Sequence, residues 1–193
     1  VWFDGARIDG LHTWGRAHRG LGRTFQVTRL FRGISVLENV VAPLHSFSWR
    51  QLGTVAVTGP EAERAEELLD FVGMRRFVDR RAGELSFGQQ KLVELAQVLM
   101  LDPKLILLDE PIAGINPTLA GDIARHLESL RADGITFLII EHHLDVIARL
   151  CDPVVVLAEG RHLAEGSFAA LAADPRVQEA YMGRRQVGEP QAR

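Results

Sequence analysis

The sequence predicts an α/β fold: a mostly parallel sheet flanked by helices, with an all-helical section inserted ahead of the main α/β stretch. Three observations carry this. Leu105-Ile106-Leu107-Leu108 is an unbroken apolar run, as expected of a short strand buried on both faces of a parallel sheet. Ile135 to Ile140 is a second such run, one helix further on. Between Val27 and Gly83 the apolar residues recur at helical spacing and no strand pattern is convincing.

Composition sets the outer bounds. A chain of 193 residues suits one domain with a sizeable core, and 47% hydrophobic with 24% charged residues is ordinary for a soluble fold. A net charge of −3 argues against a nucleic-acid partner, which favours a basic surface. Cys151 is the single cysteine, which excludes an internal disulfide framework and fits a reducing compartment. Of the 22 basic residues only Lys91 and Lys104 are lysines. No apolar run approaches a membrane span, and no signal-peptide pattern opens the chain.

Taken in order, Val1 to Ile8 alternates like a strand with a turn. Leu11 to Gly22 reads as a short helix or loop anchored by Trp14 and Leu21. The arginines from Arg16 to Arg32 read as a solvated basic face or as salt-bridge partners. Ser35-Val36-Leu37-Glu38 is a capping box opening a helix to about Ala42. His45 to Pro60 reads as a loop. Glu61 to Val72 is a helix with Ala65, Leu68, Leu69 and Val72 on one face, closed by Gly73. Met74 to Gly83 is a second short helix or turn.

From Gln90 to Met100 a helix sets Leu92, Leu95, Ala96 and Leu99 on one face, and the Leu105–Leu108 strand follows. Asn116 caps and Pro117 begins the next helix, with Leu119, Ile123, Leu127 and Leu130 facing the core. The Ile135–Ile140 strand, a helix over Leu144–Leu150 and an antiparallel hairpin of Val154–Ala158 with Arg161–Glu165 come next. Ser167 and Asp174-Pro175 start two terminal helices ending near Met182, and the polar tail is expected to fray.

Chemistry concentrates at three places. Asp109 and Glu110 sit together where the apolar strand ends and Pro111 stops the ladder, a position where open α/β sheets collect ligands. Leu85-Ser86-Phe87-Gly88-Gln89-Gln90 opens the preceding helix, and reads either as an anion site at a helix N-terminus or as a plain cap by Ser86. Glu141-His142-His143 closes the following strand.

That ordered set resembles the nucleotide-binding domain of an ABC transporter, a P-loop NTPase-like ABC ATPase fold. Leu85 to Gln90 is similar to the family's signature motif, Leu105 to Asp109 to its Walker B strand, and Ala113-Gly114-Ile115-Asn116 to its D-loop. Gln26, after Arg23-Thr24-Phe25, matches the Q-loop glutamine, and His142 the switch histidine. The resemblance implies ATP and Mg²⁺ as cofactors. Asp109 and Gln26 would hold Mg²⁺, and Glu110 would act as general base with Gln26 and His142 completing the catalytic set. Ser86, Phe87, Gly88, Gln89 and Asn116 would meet nucleotide. Phosphoryl transfer asks little covalent work of the protein, so such residues act by position and charge.

The same resemblance implies one nucleotide-binding domain over 1–193, with a helical subdomain at 27–83, an α/β core at 84–183 and a tail at 184–193. It implies a second nucleotide-binding subunit, identical or not, transmembrane permease subunits docked on the helical subdomain, no nucleic acid, and a place on the cytoplasmic face of the membrane. Arg23-Thr24-Phe25-Gln26, Gly88-Gln89-Gln90-Lys91, Gly114-Ile115-Asn116-Pro117 and the Asp174-to-Gly183 ending resemble the subunit serving branched-chain amino acid uptake. Phe87 stands where the signature usually has glycine, Asn116 where many D-loops have aspartate, and His143 where aspartate is common. The choice between His142 and His143 therefore rests on register. A Gly-x-x-x-x-Gly-Lys-Ser/Thr loop does not occur, since Lys91 follows Gln90 and Lys104 follows Pro103. The resemblance thus implies a start downstream of the main phosphate-binding loop, with an incomplete sheet. The other expectation is a non-catalytic remnant that binds a partner subunit.

Overall fold

The computed structural model describes residues 1–44, 57 and 59–182, so most of the expected His45–Pro60 loop and the whole tail lie outside the described residues. The chain divides into two compact units, Val1–Ile140 and Glu141–Arg193.

In the first unit, strands β1 (Trp2–Phe3) and β2 (Ala6–Arg7) form a small antiparallel hairpin, and helix α1 (Thr13–Ala17) follows. Strand β3 (Leu21–Arg23) then runs parallel to β4 (Leu105–Asp109), which runs parallel to β5 (Thr136–Ile140). β3 is a strand the apolar pattern did not reveal. Its middle residue is Gly22, and a Cβ there would lie 2.5 Å from Val98 Cγ1 and 3.3 Å from Ile106 Cγ1. The close approach of helix to strand needs glycine, and glycine hides a strand from propensity.

Helix α2 (Val36–Val41) carries the full capping box: Ser35 Oγ accepts from Glu38 N at 3.1 Å and Glu38 Oε2 accepts from Ser35 N at 2.7 Å. Helix α3 (Gly59–Phe71) buries Ala65, Leu68 and Leu69, with Val72 beyond its end. Short 3₁₀ turns at Arg75–Phe77 and Ala82–Glu84 lead to α4 (Phe87–Leu99). Asn39, wholly buried on α2, pairs with both backbone groups of Phe31, donating to its carbonyl at 3.0 Å and accepting from its amide at 2.7 Å. That fixes the stretch after β3 onto the helical section.

All four apolar residues expected on α4 are buried, but so are Gln90, Lys91 and Glu94, so the helix is enclosed on more than one side. Helix α5 (Pro117–Ala132) starts at an Asn116 cap, whose Oδ1 accepts from Leu119 N at 2.9 Å, and buries Ile123, Leu127 and Leu130. Leu119, also expected in the core, is half-buried. Leu95 of α4, Leu108 of β4 and Ile123 and Leu127 of α5 line one small cavity, so both helices pack on the same sheet face. Each fully buried side chain there contributes about 1.5–3 kcal/mol.

The expectation that β4 and β5 are buried on both faces does not hold among the described residues. Ile106 and Leu108 are buried, whereas Leu105 and Leu107 are half-buried and Leu138 and Ile140 are 59% and 62% exposed. Alternate side chains of a strand point to opposite faces, and α4 and α5 of this unit pack on the Leu108 face.

The second unit contains helix α6 (Leu144–Leu150), the β6 (Val154–Ala158) and β7 (Arg161–Gly166) hairpin, α7 (Phe168–Ala172) and α8 (Pro175–Met182), each close to its expected span. Glu159 and Gly160, both at positive φ (50° and 74°), make the two-residue turn that twisted hairpins favour. Leu150, Ala164 and Leu171 form its buried centre. No helix of the described residues is long and apolar enough to cross a membrane.

Two measurements test this packing. Gly22→Ala should destabilise the chain by about 1–3 kcal/mol through overpacking against Val98, read as a lower urea midpoint at unchanged slope. Burial holds the Glu94 carboxyl above its ordinary range, against Lys91 and the Phe25 and Arg29 amides, which favour ionisation. A carboxyl raised in the fold stabilises it fully below the unfolded value of about 4.3, and that contribution is lost as pH rises through the folded value. The stability of Glu94→Gln relative to the unaltered chain should therefore increase from acid pH towards neutrality; a pH-independent difference would contradict this.

Candidate functional site

Strand β4 ends at the half-buried Asp109, and Glu110 follows in the left-handed region at φ 47°. For a residue other than glycine this conformation costs about 1–3 kcal/mol and persists only where its surroundings impose it. Here Glu110 N donates to Ile140 O at 2.9 Å, and the Glu110 carbonyl accepts from Ala113 N at 3.2 Å and Lys91 Nζ at 3.4 Å. The sharp turn therefore belongs to the sheet, through β5, and to α4, through Lys91.

Gln26 reaches the same place from the loop after β3. The β3–β4 pairing sets Arg23 opposite Leu107, and Thr24 N still donates to Leu107 O at 3.0 Å. Two residues later Gln26 Nε2 donates to Glu110 Oε2 at 2.9 Å, joining residues 84 apart in sequence. An ionised carboxylate only accepts, so the amide turns its NH₂ to Glu110 and keeps Oε1 as an oxygen donor. Asp109, Glu110 and Gln26 together offer hard oxygen atoms at one strand end, a donor chemistry that fits Mg²⁺ and not a thiolate-seeking metal.

At the start of α4, Ser86 and Gln89 form a capping box: Ser86 Oγ accepts from Gln89 N at 3.4 Å, and Gln89 Oε1 accepts from Ser86 N at 2.9 Å. Both the plain-cap and the anion-site features are thus present, because the amides of Phe87 and Gly88 take no acceptor within the helix. Gly88 has a steric reason: a Cβ there would lie 2.2 Å from Leu119 Cδ2 and 3.2 Å from Ile115 Cγ2. The Phe87 ring, 40% exposed, lies beside Gly114, where a Cβ would meet Phe87 Cε1 at 3.5 Å. The aromatic residue that departs from the usual motif therefore links the start of α4 to the Ala113–Asn116 loop. Asn116 sits in that loop with its Oδ1 committed to the α5 cap.

His142 belongs to the second unit. Its carbonyl accepts from Tyr181 Oη at 2.7 Å, and its imidazole is largely exposed. His143 Nδ1 lies 2.8 Å from Glu141 Oε2, whereas His142 Nδ1 lies 3.7 Å away. Burial pushes the Glu141 carboxyl up, but the His143 ring and the amides of His142 and His143 outweigh it and hold it below the ordinary range. The two neighbouring imidazoles thus differ in their distance from the Glu141 carboxylate.

The sequence reading missed three buried polar residues behind this site: Thr24, Lys91 and Glu94. Their periodicity gave no signal, because they occupy helix or loop positions that read as surface. The scarcity of lysine was the one available pointer to Lys91.

The chain matches the ABC transporter family over residues 1–113 and the branched-chain amino acid ATP-binding cassette transporter family over residues 161–186. A probable branched-chain amino acid transport ATP-binding protein LivG of Methanocaldococcus jannaschii is 38% identical over 195 residues, covering 95% of this chain and 75% of the relative. The lipopolysaccharide export system ATP-binding protein LptB of Escherichia coli K12 is 33% identical, covering 87% of this chain and 67% of the relative. A crystal structure of an ATP-binding cassette of an ABC transporter in its ADP conformation superposes with a TM-score of 0.81 at 38% identity, over 94% of this chain and 76% of that one. With the parallel sheet, the Asp109-Glu110 strand end and the capped α4 turn already in place, the chain belongs to the ATP-binding subunits of ABC transporters.

Proposed function

We propose that the intact protein to which this chain belongs hydrolyses ATP as a subunit of an ABC importer for branched-chain amino acids or related substrates. The observation that supports this most is the Gln26–Glu110 hydrogen bond beside Asp109, which gathers two distant motif residues at one strand end. Asp109 and the Gln26 Oε1 would hold Mg²⁺, which when bound neutralises phosphate charge. Glu110, oriented by Gln26, accepts the proton of the attacking water at its carboxylate. The register of the family motif gives His142 the hydrogen bond to the terminal phosphate. The Ser86–Gln89 turn, with Phe87 and Gly88 amides outward, caps nucleotide held by a second such subunit, and Asn116 lies in the adjoining loop. The helical section within 27–83 docks on the permease, placing the chain at the cytoplasmic membrane face.

The substrate class rests on the family match at residues 161–186, and similarity to LptB leaves a lipid exporter as the competing assignment. ATP turnover measured in liposomes with the permease present should rise with branched-chain amino acid and its binding protein. Glu110→Gln should lower kcat about 100-fold or more while Mg·ATP affinity changes little, and Asp109→Asn should remove the Mg²⁺ dependence of binding. If the unaltered protein shows no Mg²⁺-dependent nucleotide binding at millimolar ATP, the second reading holds, and the chain is a partner-binding subunit without turnover.

A further inference from the structure

Lys91 occupies the middle of the first unit's polar site although the resemblance gives it no role there. It lies on α4, one helical turn beyond Phe87, and is 6% exposed. Its ammonium donates to Phe25 O and to Glu110 O, both at 3.4 Å, and sits 5.5 Å from the centre of the Phe87 ring. One cation therefore touches the loop that carries Gln26, the turn that carries Glu110 and the aromatic residue at the start of α4. Glu94, one turn further along the same helix, is buried as well, with the Lys91 charge and the Phe25 and Arg29 amides favouring its ionised form against burial. The loop after β3 is thus held at its Phe25 carbonyl through Lys91.

Burying a lysine and a glutamate is costly unless each finds partners, so their placement needs an account. Apolar residues at both positions would serve packing alone. Lysine brings a donor with three protons on one atom, able to hold two carbonyls from different segments at once. Two long bonds of 3.4 Å are weaker than a single short one, which suits a contact that yields when α4 moves.

We propose that Lys91 is a positioning residue, tying Phe25 O to Glu110 O so that the position of α4 sets the meeting of Gln26 with Glu110. It rests on the proposed ATPase reading for its consequence and on the contacts alone for its existence. Movement of the capped α4 turn, whose Phe87 face would meet the second nucleotide, reaches the Gln26–Glu110 pair through this ammonium.

The test is amide hydrogen exchange on the chain without nucleotide. Lys91→Met keeps the apolar stem and removes the donors; exchange at residues 25–29 and 110–113 should accelerate roughly 10-fold or more, with α3 and the β4–β5 ladder unchanged. Lys91→Arg should restore protection. Unchanged loops, or acceleration spread equally over α3 and the ladder, would overturn the proposal. Should Lys91→Met not fold, the unaltered protein decides: the Lys91 ammonium should give a slowly exchanging ¹⁵N signal, and a solvent-averaged signal would overturn it. Where turnover is measurable, Lys91→Met should lower kcat with KM nearly constant, and Lys91→Arg should recover it. Loop release without turnover in the unaltered protein would refute the ATPase reading and leave the positioning role standing; turnover without loop release would do the reverse.

Discussion

The hydrogen bond from Gln26 Nε2 to Glu110 Oε2 is the contact on which the rest of the site depends. Neither residue is placed by its own element. Glu110 is outside the strand, in a left-handed turn that a β5 carbonyl and an α4 lysine impose. Gln26 is outside β3, in a loop held at Phe25 by Lys91 and at Phe31 by Asn39. The contact therefore reports the mutual position of the sheet, α4 and the helical section. A charge-assisted hydrogen bond of this kind is strong enough to orient a carboxylate and weak enough to exchange when geometry changes.

The polar layer behind that contact has a physical logic of its own. Thr24 Oγ1 and Glu94 Oε2 are buried without a protein partner among the described residues, and both residues line a cavity of about 20 Å³ that Lys91 and Leu108 also border. Buried polar groups in low dielectric fix geometry more sharply than apolar ones when satisfied. The helix that carries the signature turn is accordingly apolar where it meets the sheet and polar where it meets the Gln26 loop.

Much of the fold was legible because its elements obey local rules. The Ser35 capping box, the Ser86 cap, the Asn116-Pro117 start and the Glu159-Gly160 hairpin turn are each made by neighbours in sequence, and each appears where the pattern placed it. β3 was not legible, since Gly22 is there for Val98 and not for strand propensity. Nor was the exposure of Leu138 and Ile140, because an apolar strand reads the same whether or not its second face is covered. Of the candidate site, residues adjacent in the chain could be paired by eye. The joining of Gln26 to Glu110 rested on resemblance alone, and Lys91 and Glu94 were invisible because burial of a charge is decided by tertiary neighbours.

One measurement bears most directly on the central contact: the side-chain amide signals of Gln26 in ¹⁵N spectra of the unaltered protein, Asp109→Ala and Glu110→Ala. A hydrogen bond to Glu110 should move one Nε2 proton downfield and slow its exchange in the first two, and Glu110→Ala alone should return it to the position of a free amide. Free-amide signals already present in the unaltered protein, indifferent to Glu110, would contradict the account.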